Sequence, residues 1–377
     1  MQTANNPRAA EDLSLEIDVL LESERDLRLL SMVQFLPKGL SVMNEKHEWL
    51  DDQMPPETFT YARGGAGTDW DTTNATTSLP VLTAQIGKLK VGDVIQLATG
   101  SEHVIVKAIN TVAQTIDVDK RGWGGTTATA QGAGTLTGMI IGNAQVDGSD
   151  PQSESYYTPT AVYNYVQIFE DVLAISGKVM RSKISRESER ARQRAIKIKR
   201  LFSQLNNAII NGSREKYGDR ATFQGLRNAS SSTYNVAGTL TVAKVYAMVI
   251  QMITAGGAPT AIHGSATGIS RIEQLMATYV TSGASEFNAK LTVKKLSMLG
   301  MEIELHVDKH ILDTEFLVLD YGRLRIGTQD SNEAKGAFAA YLITENAKQI
   351  KEQIAGYYTF EQKQQGASCV RAYGCTG

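Results

Sequence analysis

A chain of 377 residues with 42% hydrophobic and 21% charged residues can bury the cores of two or three domains. Its formal net charge of −2 excludes a general affinity for polyanions, so any attraction to phosphate has to come from a local patch. No apolar run approaches the ~18 residues of a membrane span, and the opening MQTANNPRAAEDLS lacks the apolar core of a secretion signal.

Residues 11–33, EDLSLEIDVLLESERDLRLLSMV, have the spacing of an amphipathic helix, with Leu13, Ile17, Leu20, Leu27 and Leu30 on one face. The other faces are acidic. Glu11, Asp12, Glu16, Asp18, Glu22, Glu24 and Asp26 outnumber Arg25 and Arg28, which suits a segment that docks on a partner surface. From Tyr61 to Leu79 the chain is rich in Gly, Thr and Ala and is expected to be exposed and extended. Its glycines do not make a phosphate loop: no strand precedes them and no Gly-Lys-Ser/Thr closes them.

Residues 80–123 change character. VGDVIQLAT, EHVIVKAIN and QTIDVDKRGW alternate as short strands between turn residues such as Gly100-Ser101 and Asn110-Thr111, predicting a small antiparallel β module. A second Gly/Thr-rich stretch, GGTTATAQGAGTLTG, leads away from it, so the module reads as an insertion at the tip of a long loop. TAVYNYVQIFEDVLAISG then returns to a core, with Val162, Tyr163, Tyr165, Ile168 and Phe169 as packing residues.

SRESERARQRAIKIKRLFSQLNNAIINGS follows. With Ser185 as N-cap and Gly212 beyond its end, it predicts a helix of about 26 residues, roughly 39 Å long. Ala191, Ala195, Ile198, Phe202, Leu205 and Ile209 recur at spacings of four, three, four, three and four, which places them on one packing stripe. Arg186, Arg190, Arg192, Arg194, Lys197, Lys199 and Arg200 cover the remaining faces of the front half, opposed by Glu187 and Glu189. Cations at a helix N-terminus face the positive end of its dipole, so a negative partner is expected. The candidates are phosphates and the acidic segment carrying Glu16, Asp18, Glu22, Glu24 and Asp26. A solvated face on a core helix is the plainer alternative. A basic-zipper arrangement needs about four heptads after the basic region, and the stripe ends at Gly212 before three are complete.

Beyond Asn228 the pattern is mixed α/β. A helix is expected near Thr241–Ala255, stopped by Gly256-Gly257, then a strand in TAIHG and a helix near Ile269–Tyr279. Strands follow in MEIELHV, EFLVLDY and LRIG, and a strand-rich tail runs from AAYLITEN through IAGYYTFEQ.

No catalytic constellation stands out, and no cofactor is implied. His306 and His310 have the spacing of a metal-binding helix pair, yet their segment alternates like strands around a turn, so the rings need not share a face. HGSATG lacks the Gly-x-Ser-x-Gly elbow, and Ser265 reads as a cap or turn residue. Cys369 and Cys375 match no zinc or redox spacing and read as free thiols of an intracellular protein, a tail disulfide being the alternative.

Taken in order, these parts resemble the major capsid protein of tailed bacteriophages, whose fold is shared with encapsulins and the floor of herpesvirus capsids. Local phrases carry the likeness to the branch with a β domain inserted in the extended loop: EWLDD, VGDVI, RGWGGT, YNYVQIF, LDYGRLRI and YLITEN. The resemblance implies an α+β fold with an N-terminal arm (1–50), an extended loop (51–160) carrying the β domain (about 80–123), and a peripheral domain (161–234) with a spine helix (about 185–212). An axial domain (235–350) and a C-terminal segment (351–377) returning to the peripheral domain complete it. It implies a non-enzymatic virion subunit that assembles with itself into hexamers and pentamers of an icosahedral shell around packaged double-stranded DNA. Portal, scaffolding and decoration proteins are implied partners, the membrane is not, and the acidic arm and basic spine become complementary surfaces between subunits. The alternatives are a nucleic-acid-binding protein using the basic helix 186–200 and an encapsulin-like compartment shell.

Overall fold

The longest strand, Gln349–Gln362, is the member around which the larger of two units is built. A computed structural model describes residues 28–35, 42, 44–52, 57–63, 78–82, 85–131, 134–148, 159–177, 189–276, 280–284, 292–329, 338–345 and 349–376. Residues Met1–Asp51 and Thr160–Gly377 form one unit and Asp52–Pro159 the other.

In the larger unit, QIKEQIAGYYTFEQ alternates with period two, so Ile350, Glu352, Ile354, Tyr358 and Phe360 share a buried face. Gln167–Ser176 pairs antiparallel along ten positions of this strand, placing Leu173 opposite Glu352 and Asp171 opposite Ile354. Leu324–Thr328 and Ala339–Glu345 also pair with it antiparallel, and Gln34–Phe35 extends the sheet in parallel beside Leu324–Thr328. The long helix, Glu189–Asn211, covers the buried face with Leu201, Leu205 and Ile209, packed among Phe169, Ile354, Tyr358 and Phe360. Its end is fixed by a close backbone crossing: the Gly225 N–H donates to the Gly212 carbonyl at 2.9 Å. A Cβ on either glycine would stand 2.5 Å from the Ala208 carbonyl oxygen. Glycine is required at both.

A seven-stranded mixed sheet completes this unit, in the order Ser232–Thr239, Cys369–Thr376, Phe316–Leu319, Ala261–Gly264, Met301–Val307, Thr292–Met298, Val280–Ala284. Helices Val242–Thr254 and Ala266–Leu275 pack on it through Val245, Met248, Met252, Ile269 and Ile272. The first ends where Gly256 turns with φ +83°. The second begins earlier than its apolar spacing suggests, because Ser265 caps it by accepting from the Gly268 N–H. Cys369 and Cys375 are both free and buried, and burial pushes the Cys369 thiol up to about 12. Among the described residues no helix is long and apolar enough to cross a membrane.

The smaller unit is a six-stranded antiparallel sheet in the order Thr58–Arg63, Gly134–Asn143, Asp93–Gln96, His103–Asn110, Thr115–Val118, Ser78–Pro80. It reaches beyond the 80–123 module expected from the sequence. Tyr61 and Leu79, expected in an exposed excursion, are fully buried with Phe59, Ile95, Val104 and Ile116. The reason is visible in TFTYAR and TLTGMII: threonine holds outward places in both, while in the second Gly138 takes an inward place and Met139 and Ile141 face out, which hides the apolar period. The chosen register puts the Tyr61 hydroxyl on Gln131 Oε1 at 2.7 Å.

One ion pair organises the loop that follows Val118. Glu102 and Arg121 are wholly buried, with Nε–Oε1 at 2.6 Å and Nη2–Oε2 at 2.7 Å. The same carboxylate accepts from the Gly122 and Thr129 N–H groups, each at 3.0 Å. Replacing Arg121 by Ala leaves this carboxylate buried and uncompensated, at a cost of about 3–5 kcal/mol. Hydrogen exchange followed by mass spectrometry is expected to show loss of protection in peptides from 93–143 and unchanged protection in 349–362.

Candidate functional site

The long helix meets its sheet through charge as well as through carbon. Arg190, Arg194 and Lys197 lie at spacings of four and three, in line with Leu201 and Leu205, so one stripe is cationic in front and apolar behind. Opposite the cationic half the sheet carries Glu352 and Asp171. Arg190 Nε donates to Glu352 Oε1 at 2.7 Å, and its Nη2 also donates to that oxygen. Arg194 Nη2 reaches both carboxylate oxygens at 2.9 Å. The Glu352 side chain is 2% exposed, whereas those of Arg190 and Arg194 are 37% and 40% exposed. The guanidinium groups therefore keep part of their hydration while the acid keeps none. Burial pushes the Glu352 carboxyl upward, but the hydrogen bonds from Arg194 and Arg190 outweigh this and hold it below its usual value of 4.5. Lys197 Nζ sits 2.7 Å from Asp171 Oδ1, and Arg200 lies 4.0 Å from Oδ2 of the same residue.

This geometry corrects the stripe expected from spacing. Ala191 and Ala195 are exposed rather than packed. Ile198 and Phe202 are half-buried against the core, Phe202 edge-on to Phe338 at 4.9 Å, and Leu205 and Ile209 are fully buried. The helix is rolled so that arginine rather than alanine faces the sheet, because the sheet offers a buried acid there. Of the other cations, Arg192 is half-buried, Lys199 is exposed and Arg200 is 68% exposed. Arg186, Ser185 and the acidic residues Glu16, Asp18, Glu22, Glu24 and Asp26 lie outside the described residues.

The back half of the helix holds a polar group that spacing alone does not reveal. Asn206 is fully buried, donates to Asp308 Oδ2 at 2.9 Å and accepts from the Leu30 N–H at 3.3 Å. The Asp308 carboxylate also takes the His310 N–H at 2.9 Å. His306 is engaged elsewhere, with Nε2 2.9 Å from Glu304, so the two histidines face different carboxylates. The helix is thus tied in its front half to Glu352 and Asp171 of the sheet and in its back half to Asp308 and Leu30.

A family model for the SU10 major capsid protein matches residues 1–372. The chain belongs to the SU10 major capsid protein family. This capsid protein is a structural shell subunit of a phage virion. Its α+β fold is that of phage capsid proteins, at identities low enough that the likeness is one of fold. The capsid of an empty GTA particle aligns with TM-score 0.52 and 9% identity, over 97% of this chain and 94% of that one. The structure of Microbacterium phage Oxtober96 aligns with TM-score 0.51 and 7% identity over 99% of each chain. The capsid of Myoviridae Phage XM1 aligns with TM-score 0.50 and 7% identity over 96% of each. No curated protein matches the sequence.

For the capsid protein's helix–sheet tie, either arginine can compensate Glu352 when the other is removed. Arg190→Ala and Arg194→Ala are expected to be individually mild, and the double variant to exceed their sum by about 1–2 kcal/mol in denaturant unfolding. The folded carboxyl is depressed, so its stabilisation is present above pH 4.5 and is lost as pH falls through the lower folded value. Glu352→Gln is expected to remove that part of the acid-unfolding profile.

Proposed function

We propose that this shell subunit joins with itself into hexamers and pentamers that close as an icosahedral capsid around packaged double-stranded DNA, without catalytic activity of its own. The observation that carries the reading is the interruption of one cored unit by another. Asp52–Pro159 has its own buried cluster and is inserted between Asp51 and Thr160 of the larger unit. Such a subunit offers two separately folded bodies, and so several different surfaces, to its neighbours. Closed shells need heterologous contacts of this kind.

The acidic segment 11–27 supplies a further contact, laid on a neighbouring subunit. Its partners on the long helix are the outward cations Lys199 and Arg200, the latter 68% exposed and only 4.0 Å from Asp171, since Arg190, Arg194 and Lys197 are held closely by Glu352 and Asp171 of their own sheet. The same commitment weakens the reading of residues 186–200 as a dedicated nucleic-acid-binding helix. Packaged DNA meets the inner wall non-specifically, and portal, scaffolding and decoration proteins complete the particle.

Negative-stain electron microscopy beside light scattering of the purified protein is expected to reveal closed shells or sheets of hexameric rings. A small discrete oligomer that binds duplex DNA tightly, with affinity falling by roughly 0.9 log units per log salt for each phosphate neutralised, would overturn the proposal. Paired reversal of Lys199 and Arg200 to Glu is expected to lower shell yield, and reversal of Glu22 and Glu24 to Lys to restore part of it.

A further inference from the structure

Two strands, Lys46–Asp51 and Thr160–Tyr165, leave and re-enter the larger unit as a ribbon of their own, with Asp52–Pro159 between them in the chain. An isolated two-stranded ribbon is marginally stable at best in water. Its side chains must therefore fasten it.

Asn164 is the ribbon residue that is most deeply buried, 3% exposed, and every hydrogen-bonding group of its amide is used. Nδ2 donates to the Phe360 carbonyl at 2.8 Å and to the Gln224 carbonyl at 3.1 Å, and Oδ1 accepts from the Gln224 N–H at 2.7 Å. His47 stands opposite Asn164 in the register and places Nε2 3.0 Å from Glu361 Oε2. The two paired residues thus hold Phe360 and Glu361, neighbours on the long strand. Next to Asn164, Arg214 Nη1 donates to the Tyr163 carbonyl at 2.8 Å, and its guanidinium lies 4.2 Å from the centre of the Tyr163 ring. Farther along, Asp51 Oδ2 accepts from the Gln364 N–H at 2.9 Å. The ties come from three separate stretches, 214, 224 and 360–364, so they restrain direction as well as position.

We infer that Asn164, seconded by His47 and Arg214, is a positioning residue for assembly: it clamps the ribbon that carries residues 52–159 to the long strand of the body. This rests on the shell-subunit reading above, since it supposes that the inserted unit joins neighbours. An amide suits the task because it donates and accepts at once, whereas an aspartate would set a carboxylate against two carbonyls.

The test compares wild type, Asn164→Ala and Arg214→Met by hydrogen exchange and by shell yield in electron microscopy. Asn164→Ala is expected to speed exchange in peptides 44–51 and 160–166 on the order of 10- to 100-fold, leave 349–358 and 93–143 protected, and lower closed-shell yield. Arg214→Met, which removes a tie outside the core, is expected to act in the same direction more weakly. If Asn164→Ala unfolds the body, Arg214→Met decides by the same criteria. A ribbon that stays protected, or loosens while shells form with wild-type yield and shape, overturns the clamp. Failure of wild type itself to assemble counts against the shell reading, and ribbon exchange then still decides whether Asn164 anchors.

Discussion

A carboxylate with almost no exposure, Glu352, occupies the middle of the helix-facing surface of the main sheet. An ionised acid there is tolerable only if something cationic covers it, and an apolar helix could not. This constraint sets the roll of the long helix, since Arg190 and Arg194 must point inward. The roll then decides which aliphatic residues reach the core behind them, and it leaves Ala191 and Ala195 in solvent. Lys197 against Asp171 repeats the arrangement one turn on. A long beam built in this way is registered along the sheet at fixed points, which an apolar stripe free to slide would not achieve.

The same device recurs wherever distant parts of the chain meet. Glu102 and Arg121 lock the loop after the central hairpin of the inserted unit. Glu315 gathers Arg227 and Arg371, joining the short helix after Gly225 to the last strand. Glu361 draws in His47 and Lys363 at the ribbon root. Buried ion pairs add little stability over a well-packed apolar alternative, because desolvation offsets most of the attraction. Their use is geometric: each accepts one arrangement and penalises its neighbours. A subunit whose contacts must repeat around a shell needs such reproducibility more than it needs extra stability.

Parts of this were legible in the chain. The long helix, the acidic character of 11–33, the alternating strands of 80–123, the stop at Gly256-Gly257 and the capping role of Ser265 all depend on neighbours within a few residues. Local periodicity and cap chemistry report such features directly. The order of elements pointed to the capsid fold for the same reason.

The tertiary structure alone decided which face of the helix turns inward, because the acid responsible lies 162 residues from Arg190. Periodicity records each residue's own preference for water. It carries no information about a carboxylate supplied by a distant strand, and arginine scores as outward whatever awaits it. One sign was present: Glu352 interrupts the alternation of Ile350 and Ile354. Two strands of the inserted unit were hidden differently, since threonine and glycine are nearly neutral between water and protein and find their place only when Thr58–Arg63 and Gly134–Asn143 pair across the fold. Asn164 is the clearest case. In sequence it is one polar residue among tyrosines, and its role exists only where Gln224 and Phe360 converge on it.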